Sequence, residues 1–394
     1  MNVELGNHAH ITKLAGFEYT NHFDYSVGGE IIALRSMNIR DGRLDLSDVQ
    51  TMRIEVSDAL PRSKLRSGDI VLGYVGSKLG NLAKINEDNR FHLAPNVALI
   101  RPSRDLLADY LLQFMLGPIY QSKLWSFAGS TGQPALSMAN IRRSKIWLPP
   151  LPEQKKIAEI LSTWDVAIGT TEKLLANAEA QKLALMQQLL TGKRRLKGFE
   201  GKAWRMAPIA SVAKEVSDRN RDGDEFPVVS CSKTLGFVNS LEYFKKQVFS
   251  DDLTGYKLIR RGQIGYPANH VEEGSIGLQN LHEIALVSPI YTVFETASEM
   301  DSTFLFRVLK TDHYRQLFAA ATNASVDRRG SLRWKAFSII KVPVPTPDEQ
   351  HTINNVLGAA TKEIEAISAG LSRLRLEKFA LMQQLLTGKR QVMV

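Results

Sequence analysis

KLALMQQLLTGKR at residues 182–194 of this sequence returns as KFALMQQLLTGKR at 378–390, with twelve of thirteen residues identical. At the same offset of 196 residues, LPEQKKIAEIL (151–161) aligns without a gap with PDEQHTINNVL (347–357). Weaker similarity continues upstream of both copies. A repeat of this length predicts that the chain consists of two copies of one structural unit.

Each repeated segment carries the signals of one long helix. Prolines precede it, and Glu153 and Glu349 lie in its first turn, where a negative charge interacts favourably with the helix dipole. Gly192 and Gly388 follow the last apolar positions, as glycines at helix ends do. Each helix is expected to span about 35 residues, or about 50 Å at 1.5 Å per residue.

Apolar residues recur along both helices at alternating spacings of four and three, which is the pattern of a coiled-coil seam. Lys182 and Lys378 interrupt the seam at the same place in both repeats, and we expect their ammonium groups to reach solvent or a carboxylate. The alternative is that the two helices are core helices of one bundle. The predicted seam residues are Ile157, Leu161, Trp164, Ile168, Leu175, Leu185, Leu189, Ile353, Leu357, Ile364, Ile367, Leu371, Leu374, Leu381 and Leu385.

Composition narrows the class of protein. A chain of 394 residues with 44% hydrophobic and 23% charged residues is expected to form two or three globular units. The lone Cys231 excludes an internal disulfide and a zinc site of several cysteines, which fits a reducing cytoplasm. Neither a signal pattern nor an apolar run long enough for a membrane span is present. The net charge of +9 suggests a polyanionic partner, most often nucleic acid.

The segments outside the helices predict two similar heads of the α+β class. We expect a first head at 1–150, a central helix at 151–195, a second head at 196–347 and a C-terminal helix at 348–394. The chain would travel along one helix and return along the other. This predicts two heads separated by a long antiparallel two-helix coiled coil, related by a pseudo-two-fold axis. The predicted strands are 31–34, 69–72, 97–100, 228–229 and 290–294, and the predicted helices are 107–116 and 303–320.

Polar loops at matching places in the two heads are the candidate DNA-reading surfaces. The heads carry net charges of only +3 each, so any basic patch is local. Arginine, lysine, asparagine and glutamine read base edges, while serine, threonine and tyrosine hold phosphates. A solvated loop is the alternative for any single residue. The candidates are Arg35, Asn38, Arg40, Tyr74, Ser77, Lys78, Ser130, Thr131 and Gln133 in the first head, and Lys233, Tyr266, Asn269, His270, Asn323, Ser325, Arg328 and Arg329 in the second.

Motifs for catalysis are missing from the sequence. There is no G-x-x-x-x-G-K-[ST] phosphate loop, no G-x-G-x-x-G, no H-E-x-x-H and no G-x-S-x-G. His270-Val271-Glu272-Glu273 comes nearest to a metalloprotease motif but lacks the second histidine. We therefore predict no catalytic residue and no metal site in this chain.

The repeated module resembles the specificity subunit of Type I restriction–modification enzymes. The resemblance is carried by LPPLPEQKKIAEILSTWD at 148–165, by LMQQLLTGKRR at 185–195 and by their copies at 344–361 and 381–390. Ser130–Leu136 and the stretch from Arg328 to Leu332 also resemble the ends of that family's target-recognition domains. The resemblance covers essentially the whole chain, although the heads match only in outline.

The resemblance implies a non-catalytic DNA-recognition subunit. Each head would read one half of an asymmetric bipartite site, and the helices would set the spacer and dock the modification subunits, which are adenine methyltransferases. Double-stranded DNA, two modification subunits and motor-nuclease subunits would be its partners. No cofactor would bind to this chain; S-adenosylmethionine, ATP and Mg²⁺ would bind to the partners. Two other classes stay open at this point, a coiled-coil structural adaptor that does not read DNA and a free-standing enzyme.

Overall fold

The computed structural model describes residues 2–16, 18, 23–128, 134–201, 203–323 and 331–393. The chain forms two compact units. Unit 1 comprises Met1–Leu174 and Ile367–Val394, and unit 2 comprises Leu175–Ala366. Part of each repeated helix therefore belongs to each unit. The predicted boundaries divided the chain differently, because they set the helices apart from the heads, and they stay a prediction.

Helices account for the longest elements in both units. The described α-helices are α1 (Ile54–Ala59), α2 (Ala108–Leu116), α3 (Pro118–Ser126), α4 (Met138–Arg143), α5 (Leu151–Leu189), α6 (Ile209–Val212), α7 (Ser240–Phe244), α8 (Ser302–Leu309), α9 (Asp312–Asn323), α10 (Trp334–Phe337) and α11 (Pro347–Leu385).

Short strands build the rest of each unit. The strands of unit 1 are β1 (Asn2–Glu4), β2 (Ala9–Lys13), β3 (Ile31–Leu34), β4 (Ile39–Arg40), β5 (Arg43–Leu44), β6 (Gln50–Met52), β7 (Ile70–Gly73), β8 (Leu82–Lys84), β9 (Phe91–Leu93), β10 (Val97–Pro102) and β11 (Lys145–Trp147). The strands of unit 2 are β12 (Arg205–Pro208), β13 (Ala213–Val216), β14 (Val229–Ser232), β15 (Gly236–Asn239), β16 (Lys257–Arg260), β17 (Ile264–Pro267), β18 (Gly277–Leu278), β19 (Ile284–Val287), β20 (Tyr291–Thr296) and β21 (Lys341–Val344).

A four-stranded antiparallel sheet recurs in both units. Its strand order is β2-β10-β7-β8 in unit 1 and β13-β20-β17-β18 in unit 2. The central strand β10 is apolar on both faces because it lies between two cores. Val97 and Leu99 face one core, whereas Ala98 and Ile100 face the core that contains the helices. An unbroken apolar run at 97–100 is therefore compatible with a strand.

A buried glutamine fixes the start of each long helix. Gln154 Oε1 accepts a hydrogen bond from the amide of Leu107 at 2.9 Å, and its Nε2 donates to the carbonyls of Asp105 and Pro149, both at 2.9 Å. In unit 2, Gln350 makes the corresponding three bonds at 2.7–2.9 Å. Each glutamine thus connects the entry proline segment to the loop before the neighbouring helix.

The long helices α5 and α11 each contain 39 residues and pair antiparallel within each unit. In unit 1, Lys378 contacts Asp165 and Arg375 contacts Glu172, so residue numbers fall on one helix as they rise on the other. In unit 2, Leu185 and Leu189 belong to the same core as Ile353 and Leu357. All fifteen predicted seam residues are buried or half-buried. The predicted α+β class with two long paired helices is confirmed.

The strand predictions succeed, but one helix prediction is wrong. The five predicted strands all begin within one residue of the expected start. The predicted helix at 303–320 is in fact two helices, α8 and α9, separated at Lys310 and Thr311. Thr311 interrupts the helix because its hydroxyl donates back to the carbonyl of Val308 and its own carbonyl begins the next turn by accepting from Arg315. No described helix is long and apolar enough to cross a membrane.

Candidate nucleic-acid interface

Two of the predicted loops meet at one edge of the central sheet in unit 1. The amide of Gly76 donates to the carbonyl of Pro134 at 2.8 Å, and the amide of Leu136 donates to the carbonyl of Tyr74 at 2.9 Å. Val75 and Ala135 form an isolated bridge between these bonds. The loop after β7 therefore holds the segment that leads into α4.

Unit 2 repeats this arrangement. The amide of Leu332 donates to the carbonyl of Ala268 at 2.8 Å, and the amide of Ala268 donates to the carbonyl of Ile290 at 3.3 Å. In unit 1 the equivalent second bond runs from Tyr74 to the carbonyl of Asn96 at 3.2 Å. Both units therefore gather three loops at the same edge, and the side chains on these loops differ between the copies.

Tyr74 lies at the centre of this edge in unit 1. Lys13 Nζ lies 5.3 Å from the centre of the Tyr74 ring, a cation–π distance. Ser77 is exposed and Lys78 is half-buried on the short helical turn that follows Tyr74. A phenol, a hydroxyl and two ammonium groups are thus available here for contacts with phosphates or bases.

Three predicted residues lie around the turn between β3 and β4. Arg35 donates to the carbonyl of Asp48 at 3.1 Å, and Arg40 is exposed. The side chain of Asn38 is buried, and both of its amide hydrogens are used by the carbonyls of Asp45 and Asp48 at 3.0 and 2.7 Å. The structure corrects the interpretation of Asn38, because the amide holds the loop together and has no free donor for a base.

A cleft of about 710 Å³ lies at the equivalent edge of unit 2. Its lining includes Lys257, Asn269, Ser331 and Arg333. Lys257 Nζ donates to the carbonyl of Tyr291 at 2.6 Å, and burial lowers the pKa of its ammonium below the usual range. Asn269, which was predicted, therefore shares the cleft with basic residues that were not.

Tyr266 is a second correction. Its side chain is fully buried, and its ring packs against Phe337 with centroids 4.6 Å apart. Burial also raises the pKa of its hydroxyl far above the usual range. Tyr266 lies in strand β17, where successive side chains point to opposite faces of the sheet. Its side chain is on the face that packs into the core, so it does not point toward a ligand.

Lys233 and His270 are exposed in unit 2 and share one carboxylate. Lys233 Nζ lies 2.5 Å from Glu273 Oε2, and His270 Nδ1 lies 3.4 Å from Glu273 Oε1. The hydrogen bond from Lys233 lowers the pKa of Glu273. His270, Glu272 and Glu273 have potential metal-ligand atoms within 4.8 Å of one another. However, the Glu273 carboxylate, which a metal ion would need as a ligand, already forms an ion pair with Lys233.

The remaining predicted residues are not placed. Ser130, Thr131, Gln133, Ser325, Arg328 and Arg329 lie outside the described residues, and for Asn323 only the helix backbone is described. Their DNA contacts stay predictions. The two undescribed stretches, 129–133 and 324–330, fall at corresponding places in the repeat, immediately before the segments held by Tyr74 and Ala268.

Sequence reasoning missed several residues of this surface. Lys13, Asn96 and Lys257 come from strands or strand ends outside the polar loops, so their local sequence gave no signal. Gln154 and Gln350 did carry a signal, because a glutamine recurs at the same place in a stretch that aligns without a gap. Its burial beside a helix start was not expected from the polar side chain.

Comparison with known proteins shows which family this chain resembles. Residues 63–180 match the family model described as the Type I restriction modification DNA specificity domain. This part of the chain is similar to the specificity domain of that family. The resemblance predicted from the repeated module is therefore confirmed.

Relatives and solved structures extend the match beyond the specificity domain. The chain is 24% identical over 363 residues to the Type I restriction enzyme MjaVIII specificity subunit of Methanocaldococcus jannaschii, covering 83% of this chain and 77% of that one. It is similar in fold to the S subunit of a Type I system from M. genitalium, with a TM-score of 0.57, 14% identity and coverage of 98% and 96%. The HsdS subunit from Thermoanaerobacter tengcongensis gives a TM-score of 0.52 at 16% identity, with coverage of 99% and 97%.

Proposed function

We propose that the chain is the DNA-recognition subunit of a Type I restriction–modification complex and that each unit reads one half of a bipartite site. The observation that carries this proposal is the repeated sheet edge. Both units bring three loops together there by the same backbone bonds, yet different side chains line the two edges. A shared scaffold with different polar contacts suits two half-sites of different sequence.

Phosphate contacts would supply affinity and position, and base contacts would supply sequence specificity. Lys13, Lys78, Arg40 and Lys257 are cations near these edges and would bind the DNA backbone, which positions each unit. Base choice would come from groups such as the Asn269 amide, which can pair bidentately with adenine. The sequence has no catalytic motif, so the chemistry would take place on another subunit.

DNA binding with a steep salt dependence tests this proposal. A DNA reader that neutralises several phosphates loses affinity as roughly the 0.9 power of salt concentration per phosphate. We expect the full chain, alone and with its modification subunits, to bind its target more tightly than a scrambled duplex at every salt concentration. The coiled-coil adaptor without DNA reading predicts no preference between the two duplexes. A scrambled duplex bound as tightly as the target would therefore support the adaptor.

We also propose that two modification subunits dock at a pair of equivalent clefts. In unit 1, a cleft of about 220 Å³ is lined by Ile119, Leu386 and Thr387 among others. In unit 2, a cleft of about 430 Å³ is lined by Leu190 and Thr191, which are the repeat equivalents of Leu386 and Thr387. Each cleft lies where a long helix ends. Two similar sites favour two copies of one partner.

Exposed apolar residues at the clefts allow the docking proposal to be tested separately. Ile119 in unit 1 is 46% exposed and Met206 in unit 2 is 54% exposed. Replacing either one with glutamate should reduce the number of bound modification subunits from two to one, and replacing both should abolish binding. Two bound subunits in the double variant would contradict this docking site.

The cofactors of the complex would lie in the partners. We propose that S-adenosylmethionine, ATP and Mg²⁺ bind to modification and motor-nuclease subunits, since the sequence of this chain lacks a phosphate loop. A complex of this kind would act in the cytoplasm, where a lone cysteine stays reduced.

A further inference from the structure

A third cleft in unit 2 has an unusual charge. It has a volume of about 370 Å³ and is bounded by the turn between β14 and β15, by α8 and by the long helices of that unit. Three of its lining residues are basic, namely Lys182, Arg307 and Lys310, and no acidic residue lines it. This set is called the basic cleft below.

In the described part of the chain, no carboxylate forms an ion pair with any of the three cations. Among the described residues, the side chains of Arg307 and Lys182 make no hydrogen bond or ion pair, although both residues are half-buried, and Asp301 interacts with Arg307 only electrostatically. Arg307 Nη2 lies 4.0 Å from the place where a side chain on Gly358 of α11 would begin, so the guanidinium rests against the helix. Lys310 Nζ donates to the carbonyls of Lys233 and Gly274 at 2.6 and 2.7 Å, but no carboxylate neutralises it.

Burial makes this arrangement costly. Loss of solvent lowers the pKa of both Arg307 and Lys310. Half-buried positive charges without an anion are unfavourable, and they are uncommon unless a ligand supplies the missing charge. Asp301 offsets part of the charge on Arg307 from a distance, but no acidic residue lines the cleft, so an anion that enters it would be favoured.

The corresponding place in unit 1 already contains an anion. Asp165 Oδ1 accepts a hydrogen bond from Lys378 Nζ at 2.6 Å, and Asp165 Oδ2 accepts one from Gln113 Nε2 at 2.7 Å. Lys378 is the seam lysine of the second repeat, so a lysine and a carboxylate compensate each other here. The carboxylate therefore marks the place that an anion occupies in this fold.

Unit 2 has lost this carboxylate and gained a cation. By the repeat alignment, Thr361 stands for Asp165, Arg307 for Gln113 and Lys182 for Lys378. The Thr361 hydroxyl donates to the carbonyl of Leu357 within its own helix at 2.9 Å. The three positions carry no net charge in unit 1 and two positive charges in unit 2.

We propose that the basic cleft binds a phosphate group of the DNA backbone, an inference that rests on the proposed function. The turn between β14 and β15 directs the choice of ligand. Lys233 on this turn is 61% exposed and is a predicted DNA contact, and its carbonyl holds Lys310. A lysine that lines the cleft is thus hydrogen-bonded to the backbone of a predicted DNA contact. Arginine with two lysines suits a phosphate, whose oxygens accept several charge-assisted hydrogen bonds.

Placing the residues of unit 1 at the equivalent positions of unit 2 tests the proposal. Arg307→Gln with Thr361→Asp installs the pair that unit 1 uses, so Lys182 gains an internal carboxylate and the fold should be retained. DNA binding is measured from 50 to 200 mM salt with the full chain, alone and in its complex. We expect weaker binding and a salt slope reduced by about one. The deficit should then be about threefold larger at 50 mM than at 200 mM.

A matched control separates this cleft from general electrostatics. Asn355→Asp with Lys362→Gln makes the same change in charge at exposed positions of α11 in unit 2. Equal affinity and slope in the exchanged variant and this control would overturn the phosphate site, provided that the wild-type chain binds DNA. A wild-type chain that binds no DNA would instead refute the proposed function. Weaker capture of modification subunits with unchanged DNA binding would identify a protein carboxylate as the ligand and overturn the proposal.

Discussion

Removing the positive charge of Arg195 should destabilise unit 2 strongly. Arg195 follows α5 and makes two hydrogen bonds to Glu349 at the start of α11, at 2.6 and 2.7 Å. Trp204 Nε1 donates to the same carboxylate at 2.9 Å, and the Glu349 side chain is only 1% exposed. Arg195→Met would leave a buried carboxylate without its cation, which costs about 3–5 kcal/mol. For a unit of this size, that corresponds to a fall in Tm of about 6–20 °C.

Unit 1 supplies the matched control for this experiment. The repeat equivalents of Arg195 and Glu349 are Gln391, which is exposed, and Glu153, whose buried Oε1 has no hydrogen-bond partner among the described residues. Gln391→Met should therefore change the stability by about 0.5 kcal/mol or less. Thermal unfolding of the two variants, followed by tryptophan fluorescence and circular dichroism, makes the comparison.

Two results complete the test of this ion pair. Adding Glu349→Gln to Arg195→Met should recover much of the lost stability, because no unpaired charge is then buried. If Arg195→Met unfolds within 2 °C of the wild-type chain, the buried ion pair does not hold the two helix ends together and the reasoning is refuted.

Two further predictions concern the lone thiol and the helices. Burial raises the pKa of Cys231 to about 12, so the thiolate is disfavoured, and at pH 8.5 iodoacetamide should alkylate the folded chain about 10³-fold more slowly than the chain in urea. Equal rates would show that the thiol is accessible and ionised. Inserting four residues after Leu175 and four after Ile367 lengthens both helices by about 6 Å and should shift the preferred spacer by one or two base pairs. A folded variant that keeps the original spacer would exclude the helices as its determinant.

The repeated helices could be predicted from sequence because their signals are local and occur twice. The seam at Ile157 and Leu161 follows the heptad spacing, and Gly192 and Gly388 adopt positive φ angles of 68° and 70° after the helix ends. Strands such as β10 were also found from short apolar runs. These features depend on neighbours within a few residues.

Features that depend on distant residues could not be predicted. Tyr266 and Asn38 are of residue types that often contact DNA, but the tertiary fold buries both side chains. Lys378 was expected to reach solvent or a carboxylate, and it does reach a carboxylate, but that group is Asp165, 213 residues away in sequence, which the sequence could not identify. The consequence of having Asp165 in one repeat and Thr361 in the other could not be inferred from sequence, because it depends on the helix pairing that places each residue beside a lysine.

Exchange of one head, followed by mapping of methylated adenines, tests the central claim most directly. Residues 1–150 are replaced with the corresponding head of another specificity subunit, and the modified positions are mapped across the genome of a host that supplies the modification subunits. We predict a bipartite asymmetric motif for the wild-type chain, and a motif changed in one half only for the exchanged chain. A change in both halves, or methylation that does not depend on this chain, would contradict the claim that each unit reads its own half-site.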